Sequence, residues 1–121
     1  MKRFAMIILL GFMALAFASA DQINLGDFPV GEWVDSNYDA VWNFSSNNIQ
    51  LYLTDGTLVF DFQDKVEDFK VSGGLSGLEL SFSCPATSRS YKFVKGINNL
   101  NLKMMIDKNS GVHYEVEMKM K

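Results

Sequence analysis

The run Ile49-Gln50-Leu51-Tyr52-Leu53-Thr54-Asp55-Gly56-Thr57-Leu58-Val59-Phe60-Asp61-Phe62 decides the fold class. Apolar residues recur at every second position on both sides of Asp55-Gly56. A period of two is the strand period, because successive side chains leave a strand on opposite faces. Asp-Gly between two such runs marks a hairpin. Read as a two-residue type I′ turn, it sets Thr54 opposite Thr57, Leu53 opposite Leu58, Leu51 opposite Phe60 and Ile49 opposite Phe62. Every inward residue then meets an inward residue, as a correct register requires.

The same period extends outward to nearly the whole chain. It predicts nine strands, at 30–35, 40–45, 48–54, 57–62, 67–72, 78–84, 89–95, 99–106 and 112–120. The one helix candidate is the short stretch Asp64 to Phe69, which overlaps the strand at 67–72. Gly73-Gly74, Gly77, Pro85, Gly96 and Asn109-Ser110-Gly111 punctuate the strands. Across the loop Asp107–Gly111, Ile106 opposite Val112 sets Met104 by Tyr114, Leu102 by Val116 and Lys103 by Glu115. Strands with tight turns and no crossover helices describe one all-β domain. The expected architecture is a single small antiparallel meander closing into an 8–9-stranded barrel, with an open sandwich as the alternative.

Residues 1–20 are of another kind. Lys2 and Arg3 precede a run in which 16 of the first 20 residues are apolar, ending in Ala18-Ser19-Ala20. That is the order of a cleaved secretory signal peptide, with the domain beginning at residue 21. The expected location is a periplasm or the extracellular space, with no membrane insertion of the mature chain. The whole chain carries 11 basic and 14 acidic residues. Without Lys2 and Arg3 the balance is 9 − 14 = −5. A negative chain with scattered lysines is no ligand for nucleic acid. Cys84 is the single cysteine, so no internal disulfide forms. Its phase with Leu80 and Phe82 predicts a buried thiol; an intermolecular disulfide is the alternative.

Groups for catalysis are sparse. His113 is the only histidine, and with Glu115, Glu117 and Lys119 it reads as a solvated strand face, not a metal site. Asp61, Asp64, Glu67 and Asp68 form an acidic cluster expected to be solvated. No nucleophile-elbow motif is present. The titratable groups do not converge in phase, so no enzyme, cofactor or metal is expected.

The interior carries the functional expectation. Its inward positions are large and apolar, and a barrel of eight strands either fills with side chains or holds one small ligand. Both readings stand at this point. In the second, Trp42, Phe44, Tyr91, Phe93 and Tyr114 contact a small apolar ligand. The competing function is a protein-interaction module or hydrolase inhibitor with a filled core. On the outer face, Trp33 opposite Trp42 and Phe44 opposite Ile49 align a row Val34–Val41–Tyr52–Val59. This row is either a surface for a protein partner or homodimer, or is covered by Ile23, Leu25 and Phe28.

Phe28-Pro29-Val30-Gly31-Glu32-Trp33 resembles the opening of a lipocalin or calycin domain, in which Gly-x-Trp begins the first strand. The resemblance makes Gly31 and Trp33 the structural motif, with Trp33 plugging one end of the barrel. It implies a lipocalin-like outline and the binding of a small hydrophobic molecule. The chain lacks the family's Thr-Asp-Tyr turn and its terminal helix.

Overall fold

The computed structural model describes residues 20–121; the expected signal segment, up to residue 19, lies outside the described residues. Nine strands follow in chain order: β1 (Gly31–Asp35), β2 (Ala40–Ser45), β3 (Asn48–Leu53), β4 (Leu58–Asp61), β5 (Glu67–Gly74), β6 (Gly77–Cys84), β7 (Arg89–Gly96), β8 (Leu102–Lys108) and β9 (His113–Met120). All pairings are antiparallel, in the order β4-β3-β2-β1-β9-β8-β7-β6-β5. The all-β meander read from the period of two is therefore present. It curls into a half-barrel whose two edges, β4 and β5, are consecutive in the chain. The two ends of the domain meet in a short seam. There Trp33 stands opposite Met120 and Val34 opposite Lys119.

The gap between the edges is covered by chain that is not part of the sheet. Phe62 and Val66, on the link from β4 to β5, are buried. The Asp21 N–H donates to the Val66 carbonyl at 2.8 Å, and the Asp21 carboxylate accepts from the Phe69 N–H at 3.0 Å. An edge donor that solvent or another chain would otherwise take is thus satisfied internally. Farther along, the Leu25 N–H reaches the Ser46 carbonyl at the β2–β3 turn, at 3.0 Å. Ile23, Leu25 and Phe28 are buried in the core beneath this strap. They do not cover the outer row, as one reading expected. Phe28 packs instead on the inward Phe44, with ring centroids 5.8 Å apart.

Both hairpins whose register was read from sequence turn differently. The Leu53 N–H donates to the Thr57 carbonyl at 2.8 Å and the Gly56 N–H to the Leu53 carbonyl at 3.0 Å. The loop is therefore three residues, Thr54-Asp55-Gly56, with Gly56 at φ +95° as the extra residue of a bulge. This slips the register by one and puts Leu58 opposite Tyr52. A second extra residue, Val59, restores Leu51 opposite Phe60. Leu58, expected inward, is 50% exposed.

The β8–β9 loop repeats the device. The Lys108 N–H donates to the Val112 carbonyl, and Gly111 stands at φ +97°. Ile106 therefore faces Tyr114, not Val112, and Met104 faces Val116. A slip of two leaves every side chain on its expected face. Lys103 lies opposite Glu117, yet its Nζ still reaches Glu115 diagonally at 3.0 Å. The strand expected at 99–106 ends at Lys108 and begins only at Leu102; Leu100 is 84% exposed.

The candidate helix over Asp64 to Phe69 does not form, and the competing strand does, as β5. Asp64 and Asp68 take φ of +61° and +54°, which a right-handed helix excludes. The described residues hold one 3₁₀ turn, Pro85–Thr87, and no helix long and apolar enough to cross a membrane.

The concave face is packed with aromatic rings. Trp42 sits 5.5 Å from Phe62, 5.3 Å from Phe93 and 5.7 Å from Tyr91. Phe44 meets Phe93 edge-on at 5.0 Å, and Phe62 meets Phe82 at 5.4 Å. Each such pair adds about 0.5–1.5 kcal/mol to the area it buries. Cys84 is 1% exposed within this core, which keeps its sulfur from a second chain.

Candidate functional site

The inward rows change character at one end of the half-barrel. Along β2 they run Phe44, Trp42, Ala40, from two large rings to a methyl group. Ala40 is paired with Asp35 on β1 and with Leu53 on β3. A small residue at the last rung leaves space that the rungs beneath do not. The result is a cup of about 440 Å³. Its apolar wall comes from Trp42, Leu51, Met104, Ile106 and Val112. The size suits a small ligand, and few polar groups over an apolar wall is the usual composition of such a site.

Those polar groups stand at the rim. Asp35 is the next inward residue after Trp33 and is 2% exposed, the one buried charged side chain among the described residues. The Tyr114 hydroxyl donates to its carboxylate, lying 2.9 Å from one oxygen and 3.1 Å from the other. The Asn37 N–H donates to the same carboxylate at 2.9 Å, and the Asn37 amide donates to the Tyr114 oxygen at 3.0 Å. Tyr38 meets the Tyr114 ring edge-on at 5.4 Å. Burial, and then the Asp35 carboxylate, push the Tyr114 hydroxyl pKa above its ordinary value. Arg89 and Lys108 line the opposite side, with His113 beside them. His113 is held between Asp107 at 2.5 Å and Glu115 at 3.3 Å, first of all by Asp107, and its pKa is raised.

Of the five residues expected to contact a ligand, Trp42 and Tyr114 line the cup. Phe44 and Phe93 lie in the aromatic stack below. Tyr91 is buried there too. Its hydroxyl shares a 2.9 Å hydrogen bond with Thr87, and burial raises its pKa. Gly31 takes φ +141° at the start of β1, and Trp33 is fully buried. On the outer face, Val34 stands opposite Val41 and Val41 opposite Tyr52, as expected. The row then meets Leu58, and Val59 is the bulged residue, 49% exposed. Asp61 is engaged by the Gln63 N–H and by the Asn48 and Gln50 amides, each at 3.0 Å, which hold its pKa down. Among the described residues no group of three or more His, Cys, Asp and Glu is placed to hold a metal ion.

Ala40, Asp35, Arg89 and Lys108 were not singled out from the sequence. Their signal is phase: each continues an inward alternation by one rung, past Trp42, Trp33, Tyr91 and Ile106. No family model matches the chain, and neither the curated proteins nor the solved structures hold a match.

Proposed function

We propose that the chain is an exported binding protein, of lipocalin-like outline, that takes a small apolar ligand at the mouth of the half-barrel. The observation that carries this reading is the cup of about 440 Å³ over Trp42, Met104 and Ile106, in a molecule whose remaining concave face is packed with rings. The ligand sits on the aromatic stack, not within it. Trp42 forms part of the floor, and Tyr114, braced by Asp35 and Asn37, one wall. The role is binding: the Tyr114 hydroxyl and the Asn37 N–H engage the Asp35 carboxylate and fix it as a polar wall of the cup. The order of residues 1–20, that of a cleaved signal peptide, supports a periplasmic or extracellular location for this binding.

Native mass spectrometry of the protein purified from its source, followed by solvent extraction, tests the reading. A co-purifying small molecule at near one-to-one stoichiometry is expected. Val112 is exposed on the cup wall, so Val112→Trp fills the space without entering the core. It should lower ligand occupancy by about tenfold or more with little change in melting temperature. A wild-type protein that carries nothing and binds no apolar probe overturns the proposal.

A further inference from the structure

Three successive rungs of the β7–β8 ladder lie on the concave face. They are Phe93 opposite Met104, Tyr91 opposite Ile106, and Arg89 opposite Lys108. The first two are apolar and the third is a pair of cations. Directly opposed residues hold their Cβ atoms about 5 Å apart, and like charges there repel. Arg89 is half-buried, which raises the cost of an uncompensated charge. Neither residue forms an ion pair among the described residues. The neighbouring Asp107 is one residue out of phase, and its carboxylate is taken by His113. Asp35 belongs to β1 and is occupied by Tyr114 and Asn37. A cationic rung with no ion-pair partner among the described residues, at the rim of an apolar cup, is a seat for an anion brought from outside.

We propose that the cup selects an anionic amphiphile. A single carboxylate, sulfonate or phosphate head is held between Arg89 and Lys108, and the apolar body lies on Trp42, Met104 and Ile106. This rests on the binding reading of the cup and narrows it. Arg89 offers a planar fork of donors and Lys108 a mobile point charge, which together grip one head from two strands. Asp35 repels an anion from the other wall, so the ligand enters in one orientation. The head also relieves the repulsion within the rung.

Two fluorescent probes with the same aromatic body separate the claims: anilinonaphthalene sulfonate, and phenylnaphthylamine, which lacks the sulfonate. Wild-type protein should bind the sulfonate about tenfold more tightly, with the preference shrinking as salt is added. Arg89→Gln with Lys108→Gln should erase that preference, leave affinity for the neutral probe within about twofold, and melt no lower than wild type. Lys108→Gln alone, at an exposed position, should lose part of it. Lys92→Gln with Lys103→Gln removes the same charge from the outer face and should change neither affinity. Equal binding of both probes, unaffected by the Arg89 and Lys108 variants, overturns the anion assignment and leaves the cup standing. Binding of neither probe by the wild type overturns the cup reading itself.

Discussion

Strand β2 passes from one end of the half-barrel to the other, and its two ends teach different things. At Phe44 the chain is sealed: Phe28 packs against the ring, Leu25 is anchored to Ser46, and among the described residues no charged side chain joins the core there. At Ala40 the same strand opens onto a cup bordered by Asp35, Arg89 and Lys108. Pairing and alternation are continuous between the two. What changes is side-chain size and charge at the last rung. A sealed end contributes stability, because every atom there is removed from water and touches another. An open end gives up some of that packing for a place where a ligand can take the missing contacts.

That contrast can be broken most directly from the sealed side. Phe93→Ala and Phe28→Ala should each cost about 3–5 kcal/mol, whereas Val112→Ala at the mouth should cost less than about 1 kcal/mol. Urea unfolding of the three variants checks this ranking; equal losses would mean that the mouth is core after all.

A smaller effect is expected at the polar wall. Tyr114→Phe removes the hydroxyl that donates to the buried Asp35 carboxylate, at a cost of about 1.5–3 kcal/mol. Removing both groups, as Tyr114→Phe with Asp35→Asn, should cost less than the sum of the single changes. Strict additivity in the thermodynamic cycle would show that the two are not coupled.

The smallest effect belongs to His113 at the rim. Its pKa is raised by Asp107 and Glu115, so the folded chain holds the imidazole proton more tightly than the unfolded chain. The stability this adds is present in full below the ordinary value of 6.5 and is lost as pH rises through the folded value. Proton resonances of the ring, followed with pH, should show a midpoint above the ordinary value. Asp107→Asn should bring that midpoint down.

Much of this architecture was legible because alternation is local. Sterics send neighbouring side chains to opposite faces of a strand, so the inward positions of Trp33, Trp42, Phe44, Phe82, Tyr91 and Phe93 follow from spacing alone. The loops were less legible. Asp55-Gly56 suits either a two-residue turn or the end of a three-residue loop, Gly111 ends either a five-residue or a three-residue loop, and the choice is made by how the strands pack. At Asp64 to Phe69 a helical spacing competed with strand pairing. It lost because Val66 is buried beneath the strap and Phe69 is tied to Asp21.

Local sequence pattern is enough for the class of the protein: strands throughout, one core, one thiol inside it, and the faces on which the large residues lie. Each of these depends on interactions between residues a few positions apart. Packing between distant segments sets where the sheet stops. β1 meets β9 through two residue pairs, and the opening falls between β4 and β5 instead of at the chain ends. It also decided the site, by bringing Asp35 to Tyr114, 79 positions away, and Arg89 to Lys108 across a ladder. Contacts between distant segments are set by how curl, bulges and strap together close the concave face, and no local pattern encodes that sum.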